Sequence, residues 1–302
     1  MKMRYFTKMI ALAALILLAV GGITAPVQAA NDGINEKLGA PIVVYGDTLS
    51  DAQKQEVSEL LEVTKAENVK EYSVTGKDIA NYIDGNPDSR MFSSAKITRE
   101  EKGTGLTINI VTPENITQVT NEMYANALLT AGVENATVDV ASPVKVSGHS
   151  ALTGIYKAYD AEGEQLDKER MKLANDELGV ATDLADDAGL NQEKVSELLT
   201  EIKKQIAEQN PVTKEEVEQI VQDKLDQLGI SLSDEHRQML IDLFDRMRNL
   251  DINFDKVKNQ LDAIASKVQD LVNDEGFWKK VKNIVNDFLS RIGDLLEGVF
   301  NG

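Results

Sequence analysis

Two histidines and the serines near them are the groups with which this 302-residue chain could do nucleophilic chemistry. Gly148-His149-Ser150-Ala151-Leu152 imitates the Gly-x-Ser-x-Gly elbow, in which a serine hydroxyl is held on a sharp strand-to-helix turn and a histidine takes its proton. On that reading Ser150 is the nucleophile of a secreted serine-type hydrolase and His236 is its base. Two features oppose it. Leu152 replaces the second glycine, and Pro143 places the strand end five residues or more before the serine, too far for a sharp turn. The competing expectation is that Ser147 or Ser150 caps a helix and His149 is a loop residue. A softer role is also open: backbone N–H groups of Ser147, Gly148, His149 and Ser150, at a helix start, could hold an anion or other ligand.

Three further patterns invite the same scrutiny. Val43-Val44-Tyr45-Gly46-Asp47-Thr48-Leu49-Ser50 imitates the Gly-Asp-Ser-Leu block of secreted esterases, with Thr48 at the nucleophile position. The late Asp-x-x-His such enzymes need is missing, because Ser233 stands three residues before His236, so the block reads as strand, turn and helix cap. Asp251, Asn253 and Asp255 occupy positions 1, 3 and 5 of a calcium loop, with Asn259 and Asp262 at 9 and 12. Lys256 fills the position that should be glycine, and Phe254 and Val257 belong to an apolar helical face, which favours a polar helix surface over a metal site. With two histidines and no cysteine a zinc site is not expected, and no cofactor is indicated.

The elements that would position these groups fall into two textures. Residues 41–45 read as a buried strand, 49–63 as an amphipathic helix and 69–74 as a second strand. A helix then opens at Thr75, capped through Asp78. Residues 95–98 and 106–112 are strand-like, Pro113 can start a helix that ends at Gly132, and 137–140 is the next strand. This predicts an α/β (α+β) N-terminal sandwich domain over 30–163. From 167 to 302 every periodic segment is helical. Val195, Leu198, Leu199, Ile202 and Ile206 share one face, Thr213 and Glu216 make a capping box, and Gly229 closes that segment. The runs are short, so an all-α helical bundle with antiparallel neighbours is expected rather than a long coiled coil.

The segment from 123 to 159 has only Glu134, Asp139, Lys145 and Lys157 as formal charges, in a chain that is 27% charged, which marks the centre of a folded domain. Met123-Tyr124-Ala125-Asn126-Ala127-Leu128-Leu129-Thr130-Ala131-Gly132 begins it, and Val146-Ser147-Gly148 and Ala151-Leu152-Thr153-Gly154 follow. Together with Gly46 to Gln53, Ser93-Ser94-Ala95 and Asn115-Ile116-Thr117, these residues resemble domain-of-unknown-function family 1002, secreted proteins of Gram-positive, mostly spore-forming bacteria. The resemblance is close from Val43 to Asp160 and looser beyond. It implies a shared α/β fold and an envelope location, and it assigns no catalytic residue. Gln118 departs from an aromatic in relatives, which touches packing only.

Targeting is written in the first thirty residues. Lys2, Arg4 and Lys8 precede an uncharged apolar run from Met9 to Val20, and Val27-Gln28-Ala29 supplies small residues for a cut after Ala29. That core is short for a spanning helix. Removing this signal takes away three positive charges, so the net charge moves from −18 to −21. Such a surface disfavours nucleic acid as a partner. The segment 276–300 carries Trp278, Phe288 and Phe300 with a mixed-charge face, which suits packing in the bundle, a partner protein of the envelope, or a membrane surface. The reading as a whole is an acidic, exported, non-catalytic envelope or extracellular binding module. Its alternatives are the hydrolase using Ser150 with His236 and a peripheral membrane protein attached through 276–300.

Overall fold

Ile42–Gly46 (β1) is buried at every position, as a strand covered on both faces must be. Ile42 and Val44 join the main core, while Val43 and Tyr45 pack on the other face with Val57 and Leu61. The computed structural model describes residues 38–63, 68–186, 188–250, 252 and 258–273, and the segments 1–29 and 276–300 lie outside these.

β1 runs parallel to β2 (Lys70–Val74) and antiparallel to β3 (Ser94–Arg99). β3 is antiparallel to β5 (Ala136–Ala141), which is parallel to β4 (Leu106–Ile110), giving the order β2-β1-β3-β5-β4. Each parallel pair is joined through a helix, as parallel pairing demands. α1 (Asp51–Leu60) links β1 to β2 and covers one face. α3 (Asn121–Ala131) links β4 to β5 and packs into the main core with α2 (Gly76–Ile83) and α4 (Ser150–Ala161). The cap anticipated at Thr75 forms a full box with Asp78.

One boundary differs from expectation. Pro113 does not start a helix: α3 begins at Asn121, behind a Thr120 cap that accepts from Met123 N at 3.2 Å. The intervening backbone is engaged elsewhere, because Val146 N donates to Asn115 O and Thr117 N to Val146 O. A single turn forms at 113–115, closed by Ile116 N to Thr112 O at 3.1 Å, and the bridge of Ile116 to Val146 then keeps it from continuing as a helix.

The second half is helical: α5 (Lys168–Asp186), α6 (Gln192–Gln209), α7 (Lys214–Leu228), α8 (Asp234–Asn249) and α9 (Lys258–Asn273). The expected stops and starts are present, with Asn210 and Gly229 left-handed at helix ends and a Thr213–Glu216 capping box. α5 packs on α3, α6 and α8, and α6 on α7 and α9. Buried apolar residues of sheet and helices, from Val44 and Ile97 through Leu128 and Leu178 to Phe244 and Val268, form one contiguous cluster. The architecture is thus a five-stranded mixed sheet with helices on both faces, followed by a helical region that shares its core. At the outer edge of β4, Leu106 N donates to Gln260 Oε1 of α9 at 3.0 Å and Ile110 N to Asn121 Oδ1 at 2.9 Å. Two side-chain amides therefore take backbone groups that a neighbouring strand would otherwise use.

Candidate functional site

The loop between β5 and α4 holds Ser147, Gly148, His149 and Ser150, and it is fastened from below. Tyr124 of α3, wholly buried, donates its hydroxyl to Gly148 O at 2.6 Å. Burial pushes that phenol's pKa far up, so it remains a donor. Gly148 has φ +108°, and a Cβ there would come within 2.8 Å of both Ile116 Cγ2 and Tyr124 OH. Only glycine fits such backbone at such a distance.

The cap expected of Ser147 or Ser150 is not made. His149 occupies the N-cap position in right-handed helical geometry without a side-chain capping bond, and Ser150 is the first residue of α4. The start is tightened by backbone instead, through Ala151 N to Gly148 O at 3.1 Å and Leu152 N to His149 O at 3.3 Å. A serine caps from extended backbone outside the helix, and Ser150 is already inside it.

Both imidazoles have structural partners. His149 Nε2 lies 3.3 Å from Thr182 Oγ1 of α5, whose own proton goes to Gly179 O at 2.9 Å. With the Thr182 proton assigned to Gly179 O, Nε2 is the donor in this contact. Burial lowers the pKa of His149, opposed by the charge of Asp183. His236 Nδ1 lies 3.0 Å from Ser233 Oγ, the cap of its own helix, which also accepts from His236 N at 3.2 Å. No hydrogen bond joins Ser150 to His236 among the described residues; α4 packs on the sheet and α2, whereas α8 packs on α5 and α7. Thr48 of the esterase-like block fastens the chain at Met91, accepting from its N–H at 2.9 Å and donating its own N–H to its carbonyl at 3.1 Å, while Ser50 caps α1 in a capping box with Gln53.

Asp251, Asn253 and Asp255 lie outside the described residues. Of the remaining calcium-loop positions, Asn259 lies on α9 and Asp262 is ion-paired with Lys204 at 3.0 Å. Among the described residues no group of three or more His, Cys, Asp or Glu is placed to hold a metal ion, and no helix is long and apolar enough to cross a membrane. Two surface recesses of roughly 270 and 310 Å³ lie elsewhere, one between the start of β4 and α9, the other beside Tyr45 and Lys54.

The most unusual chemistry is internal. Lys203 of α6 is 0% exposed, and its Nζ lies 2.5 Å from Glu177 Oε1 of α5, itself 1% exposed. The same ammonium donates to Asn126 O at 2.8 Å and Thr130 Oγ1 at 2.9 Å, both on α3. Thr130 Oγ1 reaches Glu177 Oε2 at 2.6 Å, and Asn126 Nδ2 donates to Thr200 Oγ1 at 2.9 Å. Arg170 of α5 closes the end of α3 by donating to Thr130 O and Leu129 O. Burial holds the lysine pKa below its ordinary value, against the pull of Glu177. Sequence reasoning passed over this group, although one signal was available: Lys203 falls four residues after Leu199 and three before Ile206, inside the apolar stripe of α6.

The family model described as "Protein of unknown function (DUF1002)" matches residues 45–264. The chain belongs to this family. The uncharacterized protein YpuA of Bacillus subtilis (strain 168) is 36% identical over 272 residues, covering 87% of this chain and 90% of that one. No solved structure matches. The DUF1002 match opens within β1 and ends within α9, so it takes in the sheet, the 147–150 loop, the Lys203–Glu177 pair and most of the helical region. The family carries no assigned activity.

Proposed function

We propose that this chain is an exported, non-catalytic binding module of the cell envelope or its surroundings. The observation that supports this most directly is the state of the groups that could do chemistry. Ser150 lies within the first turn of α4, the His149 imidazole faces Thr182, and the His236 imidazole faces the cap of its own helix. A serine mechanism needs nucleophile, base and oxyanion donors converging on one point. Here the loop's Gly148 carbonyl is engaged twice, and the N–H groups of Ala151 and Leu152 turn back onto the loop. The loop is therefore a rigid platform at the carboxyl edge of the sheet, and its role on this reading is to present a surface.

Export rests on the sequence features of the first thirty residues. Fractionation of cells producing the full chain, with N-terminal sequencing of the product, tests it: a chain beginning at Ala30 outside the cytoplasm is expected, and an uncut cytoplasmic chain would overturn it. The non-catalytic part is tested by assaying the exported protein on simple acyl esters beside Ser150→Ala and His236→Ala. Equal background in all three is expected. Turnover by the parent that either substitution abolishes would establish the hydrolase instead.

A further inference from the structure

The helices that meet at the Lys203–Glu177 pair have apolar surfaces of repeating texture. α3 offers Ala125, Ala127, Leu128, Leu129 and Ala131, and α6 offers apolar residues at three- and four-residue spacing. Sliding α6 by a turn, about 5.4 Å, still brings apolar residues into apolar contacts along much of its length, Leu198 into the place of Ile202 and Ile202 into that of Ile206. The position of Lys203 would then be taken by Leu199 or Ala207, both apolar. Apolar packing alone thus discriminates weakly between axial settings. The polar group discriminates strongly. In one setting Lys203 meets Asn126 O, Thr130 Oγ1 and Glu177, whereas a one-turn slide leaves two buried charges unpaired.

We infer that the Lys203–Glu177 pair is a register latch: it selects one axial setting of α5 and α6 against α3, at a cost in stability rather than as a source of it. The cost is visible in the lysine, whose charged form is disfavoured by burial more than Glu177 restores it, with Arg170 adding repulsion. The setting reaches further than its own helices. α9 packs on α6, and α9 carries the Gln260 that accepts from Leu106 N at the edge of the sheet. A slipped α6 would carry Gln260 away from that edge.

The test replaces both charges in the full chain, Lys203→Met with Glu177→Leu, and measures the urea midpoint together with methyl NMR signals of Leu128, Leu178 and Ile202. The expected result is a midpoint at or above that of the parent, more than one set of methyl signals, and faster amide exchange at Leu106. A single set of signals at the parent positions would overturn the inference, since the remaining contacts would then fix the register without the pair. A midpoint below the parent would also overturn it, by making the pair a source of stability.

Discussion

Gly148→Ala is the sharpest perturbation of the 147–150 loop. The new methyl carbon would sit 2.8 Å from Ile116 Cγ2, 2.8 Å from Tyr124 OH and 3.2 Å from Val119 Cγ2, at a backbone φ of +108°. An alanine at positive φ costs about 1–2 kcal/mol, and forcing a methyl into filled core adds about 1–3 kcal/mol. The loss is therefore about 3 kcal/mol, and with a urea dependence of about 2–3 kcal/mol per molar the midpoint falls by about 1 M. Tyr124→Phe alone removes the 2.6 Å bond to Gly148 O, whose carbonyl keeps Ala151 N as a donor, and loses about 1 kcal/mol. The double variant lacks the hydroxyl that the new methyl would strike. Its loss should fall short of the sum by about 1 kcal/mol, as coupled neighbours do. Equilibrium urea unfolding of the four proteins reads all three values. A Gly148→Ala midpoint within about 0.2 M of the parent would refute the argument, because the loop would then yield at little cost and could not be the rigid platform described.

Lys203→Met alone leaves the Glu177 carboxylate buried beside Thr130, and unfolding should show a loss of about 3–5 kcal/mol. Burial pushes the Asp78 carboxyl up, but bonds from Thr75 N–H, Lys157 and the Thr75 hydroxyl outweigh it and hold its pKa below the usual value. Its contribution is then present at neutral pH and lost as pH falls through that lowered value. Asp78→Asn should be about 1 kcal/mol less stable at pH 7, with the gap to the parent closing below about pH 4 in a pH series of unfolding curves. His149 is shifted down by burial, so below about pH 6.5 the unfolded chain binds its proton first and stability declines with acid. The same pH series on His149→Asn should show a shallower slope between about pH 6.5 and 5.5.

Local structure was legible wherever a short-range rule governs it. Thr75 with Asp78, Thr213 with Glu216, and Asn210 or Gly229 at helix ends are interactions within a single turn, and each formed at its expected place. The alternation and runs of apolar residues placed all five strands to within one or two residues. What escaped depends on distant partners. The turn at 113–115 does not continue as a helix because Ile116 pairs with Val146, and nothing in the local sequence announces Val146. β3 turns out antiparallel to both neighbours, a matter of sheet order that periodicity does not carry. Of the candidate site, the serines and histidines were visible as residue types, but their partners Thr182, Tyr124 and Ser233 decide what they do. Lys203 and Glu177 were passed over because their burial is set in part by α3, which lies far earlier in the chain.

That distance has a kinetic side. Thr130 waits for Glu177, 47 residues on, Asn126 for Lys203, 77 residues on, and the Leu106 amide for Gln260, 154 residues on. A chain emerging from its N-terminus can pair β1 to β5 early. It must still hold the apolar flank of α3 and the rim of β4 open until nearly the whole sequence has appeared. Contacts of such separation slow the search for the native state. The late helices therefore complete the sheet's enclosure last, and the interval before they arrive is when this chain is most exposed to capture by other unfolded chains or by a protease.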